Sequence, residues 1–312
     1  MNVKNTKIYI AGHNGMVGSS IFRVLKSNGY NNIIGISREK LNLINQDEVV
    51  DFFKIEKPNI VINAAGKVGG INANNLNPYE FLMQNLQIQN NLIDSSLKHG
   101  VNKFIFIGTS SVYPRLSPQP IKEEYLLSGP FEPTNEGYAI AKIAGIKACT
   151  AIKKQYGKDF ISLLPSNLYG VNDNFDLESA HVIQALIRKF VEAFENNYPT
   201  VSLWGSGSPK REFTYVDDFS LAVMFCLENK LDKPVYNVGN GEEVSIKDLS
   251  IIIKEIVGFK GELVWDKSKP DGIPRKLMDS SSFKSCGWNS TISLKDGIKT
   301  TLEWYLKNRT KI

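Results

Sequence analysis

Short apolar runs rich in Ile, Val and Phe alternate along this chain with longer stretches of helical period, and the alternation predicts strand, helix, strand from the start. Lys7-Ile8-Tyr9-Ile10-Ala11 reads as a strand and is followed by the glycine series Gly12-His13-Asn14-Gly15-Met16-Val17-Gly18. A helical pattern then runs through Leu25 and closes near Gly29. Asn32 to Ile36 and Ile60 to Ala64 read as strands, and a long helix is expected from about Pro78 to His99, stopped by Gly100. His99, in the last turn, suits the helix dipole and reads as structural. Further strands are expected at Lys103 to Ile107 and Phe160 to Leu164, on either side of a helix containing Glu136 to Lys142. Such a series predicts an α/β fold, a doubly wound parallel sheet with helices on both faces.

After Pro165 the pattern loosens. Asn167 to Ser179 is polar and loop-like, Val182 to Ala193 is helical, and Val201 to Trp204 leads into the turn Gly205-Ser206-Gly207-Ser208-Pro209. A helix from Val216 to Glu228 and a strand from Val235 to Val238 are expected to rejoin the first sheet. Ser245 with Asp248 resembles a capping box ahead of the apolar run to Val257, and the last helix carries Leu294, Ile298, Leu302 and Tyr305 on one stripe. The expected division is therefore residues 1–166 plus 212–240 as a dinucleotide-binding (Rossmann) domain, and 167–211 plus 241–312 as a smaller, mixed substrate domain.

Strand, glycine turn, helix is the context that gives the glycine series meaning, because glycines let the backbone approach a pyrophosphate seated on a helix N-terminus. The second strand ends in Ser37-Arg38 rather than in an acid. An Asp or Glu there would accept from the ribose 2′-OH of NAD, whereas Arg38 suits the 2′-phosphate of NADP; without such a site it reads as a solvated loop residue. Tyr138 and Lys142 lie four residues apart on an Ala-rich helix and share a face. An ammonium one turn from a phenol favours the phenolate, so a group of ordinary pKa about 10 is expected to exchange protons nearer neutral pH. The hydroxyl-rich Gly108-Thr109-Ser110-Ser111-Val112-Tyr113-Pro114 follows a strand, at the sheet edge where ligands bind.

Composition adds limits rather than direction. With 42% hydrophobic and 22% charged residues and a formal charge of +5, the chain reads as an ordinary globular protein without a nucleic-acid footprint, while phosphate-bearing small ligands suit it. Cys149, Cys226 and Cys286 have no metal-ligand spacing, so a reduced, cytoplasmic chain without a metal site is expected. No apolar run approaches the ~18 residues of a membrane helix, and the polar start from Met1 to Lys7 shows no export signal.

Glycine series, hydroxyl cluster and Tyr138-x-x-x-Lys142 in this order look like an extended short-chain dehydrogenase/reductase. The strings 63–71, 133–142, 167–170, 204–207, 211–213 and 269–276 resemble, more narrowly, the GDP-L-fucose synthase family. That family epimerises a GDP-4-keto-6-deoxy sugar at C3 and C5 and reduces its C4 ketone with NADPH. The resemblance implies Tyr138 as proton donor, Lys142 on the nicotinamide ribose, and Thr109 where the family usually has a catalytic Ser. It implies NADPH held by Gly12, Gly15, Met16, Val17, Gly18, Arg38, Ala64, Ala65, Tyr138, Lys142, Pro165 and His181, and the sugar nucleotide held by Asn167, Lys189, Trp204, Arg211 and Lys276. Lys189 stands where an Arg is usual, and Trp204 could equally be core. A homodimer joined through helices at about 80–99 and 136–156 is also implied.

One departure from the family's pattern matters most. The family's epimerisation base is a Cys two residues before the Tyr of the hydroxyl cluster, and here that place is Ser111; its acid partner has a match in His181. The leading expectation is an NADPH-dependent C4 reductase of a GDP-4-keto-6-deoxy hexose or longer-chain sugar without epimerase chemistry, in surface-polysaccharide nucleotide-sugar biosynthesis. A complete GDP-L-fucose synthase using another base is the alternative. A non-catalytic dinucleotide sensor is a third, against which stands the retention of Tyr138, Lys142 and Thr109 together.

Overall fold

Along β1, Ile8–Ala11, the period of two sends Ile8 and Ile10 to one face and Tyr9 and Ala11 to the other, and all are buried. Such a strand needs cover on both sides. The computed structural model, which describes residues 3–269 and 271–310, supplies it from helices that alternate with parallel strands. In order come α1 (Met16–Ser27), β2 (Ile33–Ile34), α2 (Gln46–Glu56), β3 (Ile60–Asn63), α3 (Ile71–Leu76), α4 (Pro78–Lys98), β4 (Lys103–Ile107), α5 (Glu136–Tyr156) and β5 (Asp159–Pro165). The chain continues through β6 (Asn167–Tyr169), α6 (Val182–Glu195), β7 (Thr200–Trp204), β8 (Lys210–Tyr215), α7 (Val216–Glu228) and β9 (Val235–Val238). It ends with β10 (Glu243–Ser245), α8 (Ile246–Val257), β11 (Glu262–Asp266), β12 (Arg275–Lys276), α9 (Ser281–Lys284) and α10 (Leu294–Asn308).

The main sheet has six parallel strands in the order β2-β1-β3-β4-β5-β9. Ile8, Ile10, Ile62, Ile105 and Leu163 pack on one face with Ile21 and Leu25 of α1 and Phe219, Val223 and Cys226 of α7. Tyr9, Val61, Phe104, Phe106 and Phe160 pack on the other with Phe53 of α2, Leu92 of α4 and Ile146 and Cys149 of α5. The direction of winding reverses between β1 and β3, so a crevice opens there beyond the carboxyl ends of the strands.

A third apolar cluster joins Leu186, Ile187 and Phe190 of α6, Leu203 of β7, Phe213 and Tyr215 of β8, Leu249 and Ile253 of α8, and Ile298 and Leu302 of α10. Its centre is β8, which pairs antiparallel with β10 and parallel with both β12 and β6. A separate parallel pair, β7 with β11, lies alongside. Caps fix the helix ends: the Asn45 side chain accepts from the Asp47 and Glu48 N–H groups at the start of α2, and Ser245 Oγ accepts from Asp248 N at 3.0 Å, as its spacing predicts. Gly157, in the left-handed region at φ 65°, closes α5.

The structure departs from the sequence reading at element ends. The second strand is two residues long instead of spanning Asn32 to Ile36, because as an edge strand it is defined only where Ile33 and Ile34 meet β1. Asn167 to Tyr169, expected to be loop, forms β6, since β8 offers a ladder that no local pattern reveals. The α6 helix runs two residues past Ala193. Pro270, in the string 269–276, and Met1 and Asn2 lie outside the described residues. No described helix is long and apolar enough to cross a membrane.

Candidate active site

The glycine turn after β1 forms one lip of the crevice and the end of β3 forms the other. Gly12 sits at φ +80°, and a Cβ there would lie 2.7 Å from Ala65 N; a Cβ on Gly18 would strike the Gly12 carbonyl. Both contacts demand glycine. Gly15 N donates to Gly12 O at 3.1 Å and Gly15 is the N-cap of α1, so the unpaired N–H groups of the first turn, at Met16 and Val17, open at the crevice. Opposite, Ala64 N donates to Ala11 O at 3.0 Å and Ala65 N to Asn63 Oδ1 at 3.1 Å. Arg38 is exposed just beyond β2 and makes no hydrogen bond or ion pair among the described residues. Such a cradle, shaped by atoms that a side chain would displace, fits the pyrophosphate of a dinucleotide.

At the neighbouring strand ends Tyr138 lies beside Thr109, whose hydroxyl acts to hold the phenol's pKa down. Lys142 is 5% exposed; its ammonium donates to Ile107 O at 3.0 Å and lies 6.0 Å from the centre of the Tyr138 ring and 4.9 Å from that of Phe106. Helical spacing thus brings phenol and ammonium together as the sequence predicts. Their titration differs from that expectation. Burial raises Tyr138 to about 12, opposed by the neighbouring Thr109 hydroxyl, and burial lowers Lys142 to about 8. Desolvation outweighs the helical charge effect, since Lys142 is enclosed against β4 and the Tyr138 ring packs edge-on against Phe81 of α4. Tyr138 is therefore held as a phenol that can give up a proton when a stronger base forms beside it.

Thr109 caps a single helical turn over Ser110 to Val112, its Oγ1 accepting from Ser111 N at 3.2 Å. The Ser111 hydroxyl makes no hydrogen bond among the described residues, and it lines a cleft with Glu132, Asn135, Arg275 and Lys276. Arg115 pairs with Glu132 at 3.3 Å. Burial, then the charge of Arg211, pulls Lys276 down to about 8, although Glu132 opposes this. His181 is the N-cap of α6; desolvation, then the nearby Lys276 cation, lowers its pKa, which favours the neutral imidazole. Lys276 therefore links the surroundings of Ser111 and His181.

The remaining predicted residues fall around β8. Strand register sets Lys276 opposite Arg211, and the Asn167 amide donates to Glu212 O at 2.8 Å. Arg211 is lowered by desolvation and donates to Lys210 O at 2.8 Å. Lys189 donates to Ser202 O at 3.1 Å and is also lowered by burial. Trp204 is not core: it is 66% exposed, with the Lys269 ammonium 5.5 Å from the ring. Pro165 is buried at the end of β5, beside Val238 of β9.

Sequence reasoning missed two residues here. Asn85 is buried in α4 and brackets the loop after β3, its Oδ1 accepting from Lys67 N and its Nδ2 donating to Lys67 O, both at 3.0 Å. An amide on the apolar stripe of Phe81, Leu92 and Ile93 was the available signal. Glu132 carried none, since only the fold brings its loop to Ser111.

A glycine cradle at the switch point, with Tyr, Lys and Thr gathered at the next strand ends, defines a dinucleotide-dependent oxidoreductase of the extended short-chain dehydrogenase/reductase kind. The chain belongs to the NAD dependent epimerase/dehydratase family, whose model matches residues 8–239. It is 52% identical over 308 residues to GDP-L-fucose synthase 1 of Arabidopsis thaliana, covering 99% of this chain and 95% of that one. It matches the structure of a GDP-6-OMe-4-keto-L-xylo-heptose reductase from C. jejuni with a TM-score of 0.91 at 37% identity, covering 98% of this chain and 99% of that one. A GDP-mannoheptose C4 reductase from Campylobacter jejuni with NADP bound matches with a TM-score of 0.90 at 39% identity, over 97% and 99% of the two chains.

Proposed function

We propose that this protein reduces the C4 ketone of a GDP-4-keto-6-deoxy sugar, of hexose or longer chain, with NADPH, and leaves C3 and C5 as they arrive. The observation that carries this reading is that half-buried Tyr138 and Thr109 gather with buried Lys142 into one proton-handling group while the hydroxyl of Ser111, in the adjoining cleft, has no base bonded to it. NADPH supplies the hydride to C4. Tyr138 gives its proton to the C4 oxygen as negative charge develops there, and Thr109, beside the phenol, orients both. Lys142 holds the nicotinamide ribose, and Arg38 takes the 2′-phosphate. Pro165 and His181 border the same cofactor.

The diphosphate of the sugar nucleotide belongs with Arg211, Lys276 and Lys189. The charge of Arg211, opposite it in register, depresses Lys276 more than Glu132 restores it, and an anion between the two cations relieves the repulsion. Asn167 adds an amide and Trp204 an exposed aromatic face. In this reading residues 1–166 with 212–240 hold the cofactor and 167–211 with 241–312 hold the sugar nucleotide. A second copy of the chain pairs through α4 and α5, where Tyr79 and Ile140 are exposed.

Abstraction of a proton from carbon beside a ketone needs a base of pKa near working pH, which an unaided alcohol is not. The protein, NADPH and a GDP-4-keto-6-deoxy hexose are incubated in D₂O, and the reduced sugar is examined by NMR. The expected product carries no carbon-bound deuterium at C3 or C5. Deuterium at either carbon would overturn the reductase-only reading in favour of the complete GDP-L-fucose synthase reaction; loss of that label in Glu132→Gln would then assign the base to the cleft's carboxylate.

A further inference from the structure

Glu212, in the middle of β8, is fully enclosed, and nothing in the reduction itself uses its carboxylate. One oxygen accepts from Gly241 N at 2.7 Å and the other from Met278 N at 2.9 Å. Its backbone carbonyl accepts the Asn167 amide at 2.8 Å. Burial pushes the carboxyl upward in pKa, and the two backbone donors and the Lys284 charge act against this. Alternation along the strand turns Glu212 to the face opposite Arg211, so the carboxylate does not neutralise its neighbour.

Three segments thus meet on one side chain: β8 itself, the loop after β9, and the chain just past β12. The ladder between β12 and β8 is only two residues long and sets two cations, Lys276 and Arg211, opposite each other. So short a ladder leaves the like charges to be held by bonds beyond it, among them Leu277 N to Gln119 Oε1 and Asp279 N to Ile121 O, both at 2.8 Å. The bond from Met278 N, two residues beyond Lys276, extends the hold, and Gly239 packs so closely that a Cβ there would lie 2.7 Å from Glu212 Cδ. We infer that Glu212 is the positioning residue of the diphosphate site, keeping Arg211 and Lys276 in one register before the anion arrives. Preorganisation of this kind lowers the ordering cost of binding. The inference rests on the sugar-nucleotide site proposed above.

The test uses the full chain, with GDP and NADPH binding measured separately by calorimetry and steady-state kinetics alongside. Glu212→Gln keeps one acceptor but turns an N–H toward the second backbone donor, so one charge-assisted bond is lost. GDP affinity should fall roughly tenfold, with a matching rise in KM for the sugar nucleotide, while kcat and NADPH affinity stay within about twofold. Gly239→Ala, which displaces the carboxylate without removing its charge, should weaken GDP in the same way and provides the readout if the Gln variant does not fold. In an Arg211→Ala background the effect of Glu212→Gln should shrink below about threefold, because the side chain acts partly through Arg211. Normal GDP binding by a folded Glu212→Gln or by Gly239→Ala, or equal losses of GDP and NADPH affinity, would overturn the role. Wild-type protein that binds NADPH but not GDP would overturn the site itself and this role with it.

Discussion

Lys142→Met separates the stability of this site from its chemistry. The wild-type ammonium is buried, and the fall from the ordinary 10.5 to about 8 measures what burial costs the charged form. At 1.36 kcal/mol per factor of ten, that cost is roughly 3 kcal/mol near neutral pH. Methionine fills the space without charge, but the Ile107 carbonyl, now receiving a bond at 3.0 Å, is left without it at a cost of about 1–3 kcal/mol. The net expectation is a variant as stable as wild type or more stable by up to about 2 kcal/mol. The pH dependence carries a definite sign. Between pH 8 and 10.5 the unfolded lysine binds more protons than the folded one, so wild-type stability rises relative to the variant as pH increases through that window. From pH 7 to about 9.5 the relative gain should be about 2 kcal/mol. Urea unfolding of both proteins without cofactor at the two pH values measures it, and ketoreductase activity should fall at least about a hundredfold in the variant. A Met variant less stable than wild type by more than about 1 kcal/mol at pH 7, or a relative stability flat with pH, would refute the reasoning.

Tyr138→Phe should lower turnover by about 10²–10⁴-fold with NADPH affinity nearly intact, and Thr109→Ala should be milder; turnover and fluorescence titration of NADPH check both. Arg38→Ala should remove most of a preference for NADPH over NADH of about tenfold or more, read from kcat/KM with each cofactor, and equal efficiency in the wild type would contradict the assignment. Gly18→Ala should abolish measurable dinucleotide binding, because its methyl meets the Gly12 carbonyl; calorimetry with NADPH on folded protein decides it. Trp204→Ala should raise KM for the sugar nucleotide without a loss of stability, since the indole is exposed, and a lowered melting temperature would argue against that.

Local rules were enough for much of this protein. The period of two in Ile8 to Ala11, the glycines at 12, 15 and 18 and the four-residue spacing of Tyr138 and Lys142 each depend on neighbours in the chain, and the residues that carry them determine strand, cradle and proton-handling pair. The Ser at position 245 three residues before Asp248 likewise foretells its cap. What only the tertiary structure decided depends on distant partners. The shortness of β2 follows from its place at an edge, and β6 exists because β8 lies beside it. The titration of Tyr138 and Lys142 was set by desolvation among residues distant in sequence, which reversed the direction expected for the phenol from charge alone. Glu132 reached the cleft of Ser111, and Glu212 came to join three segments, through folding of residues far apart in sequence; hydrogen bonds and desolvation act on distances in space, which spacing along the chain does not record.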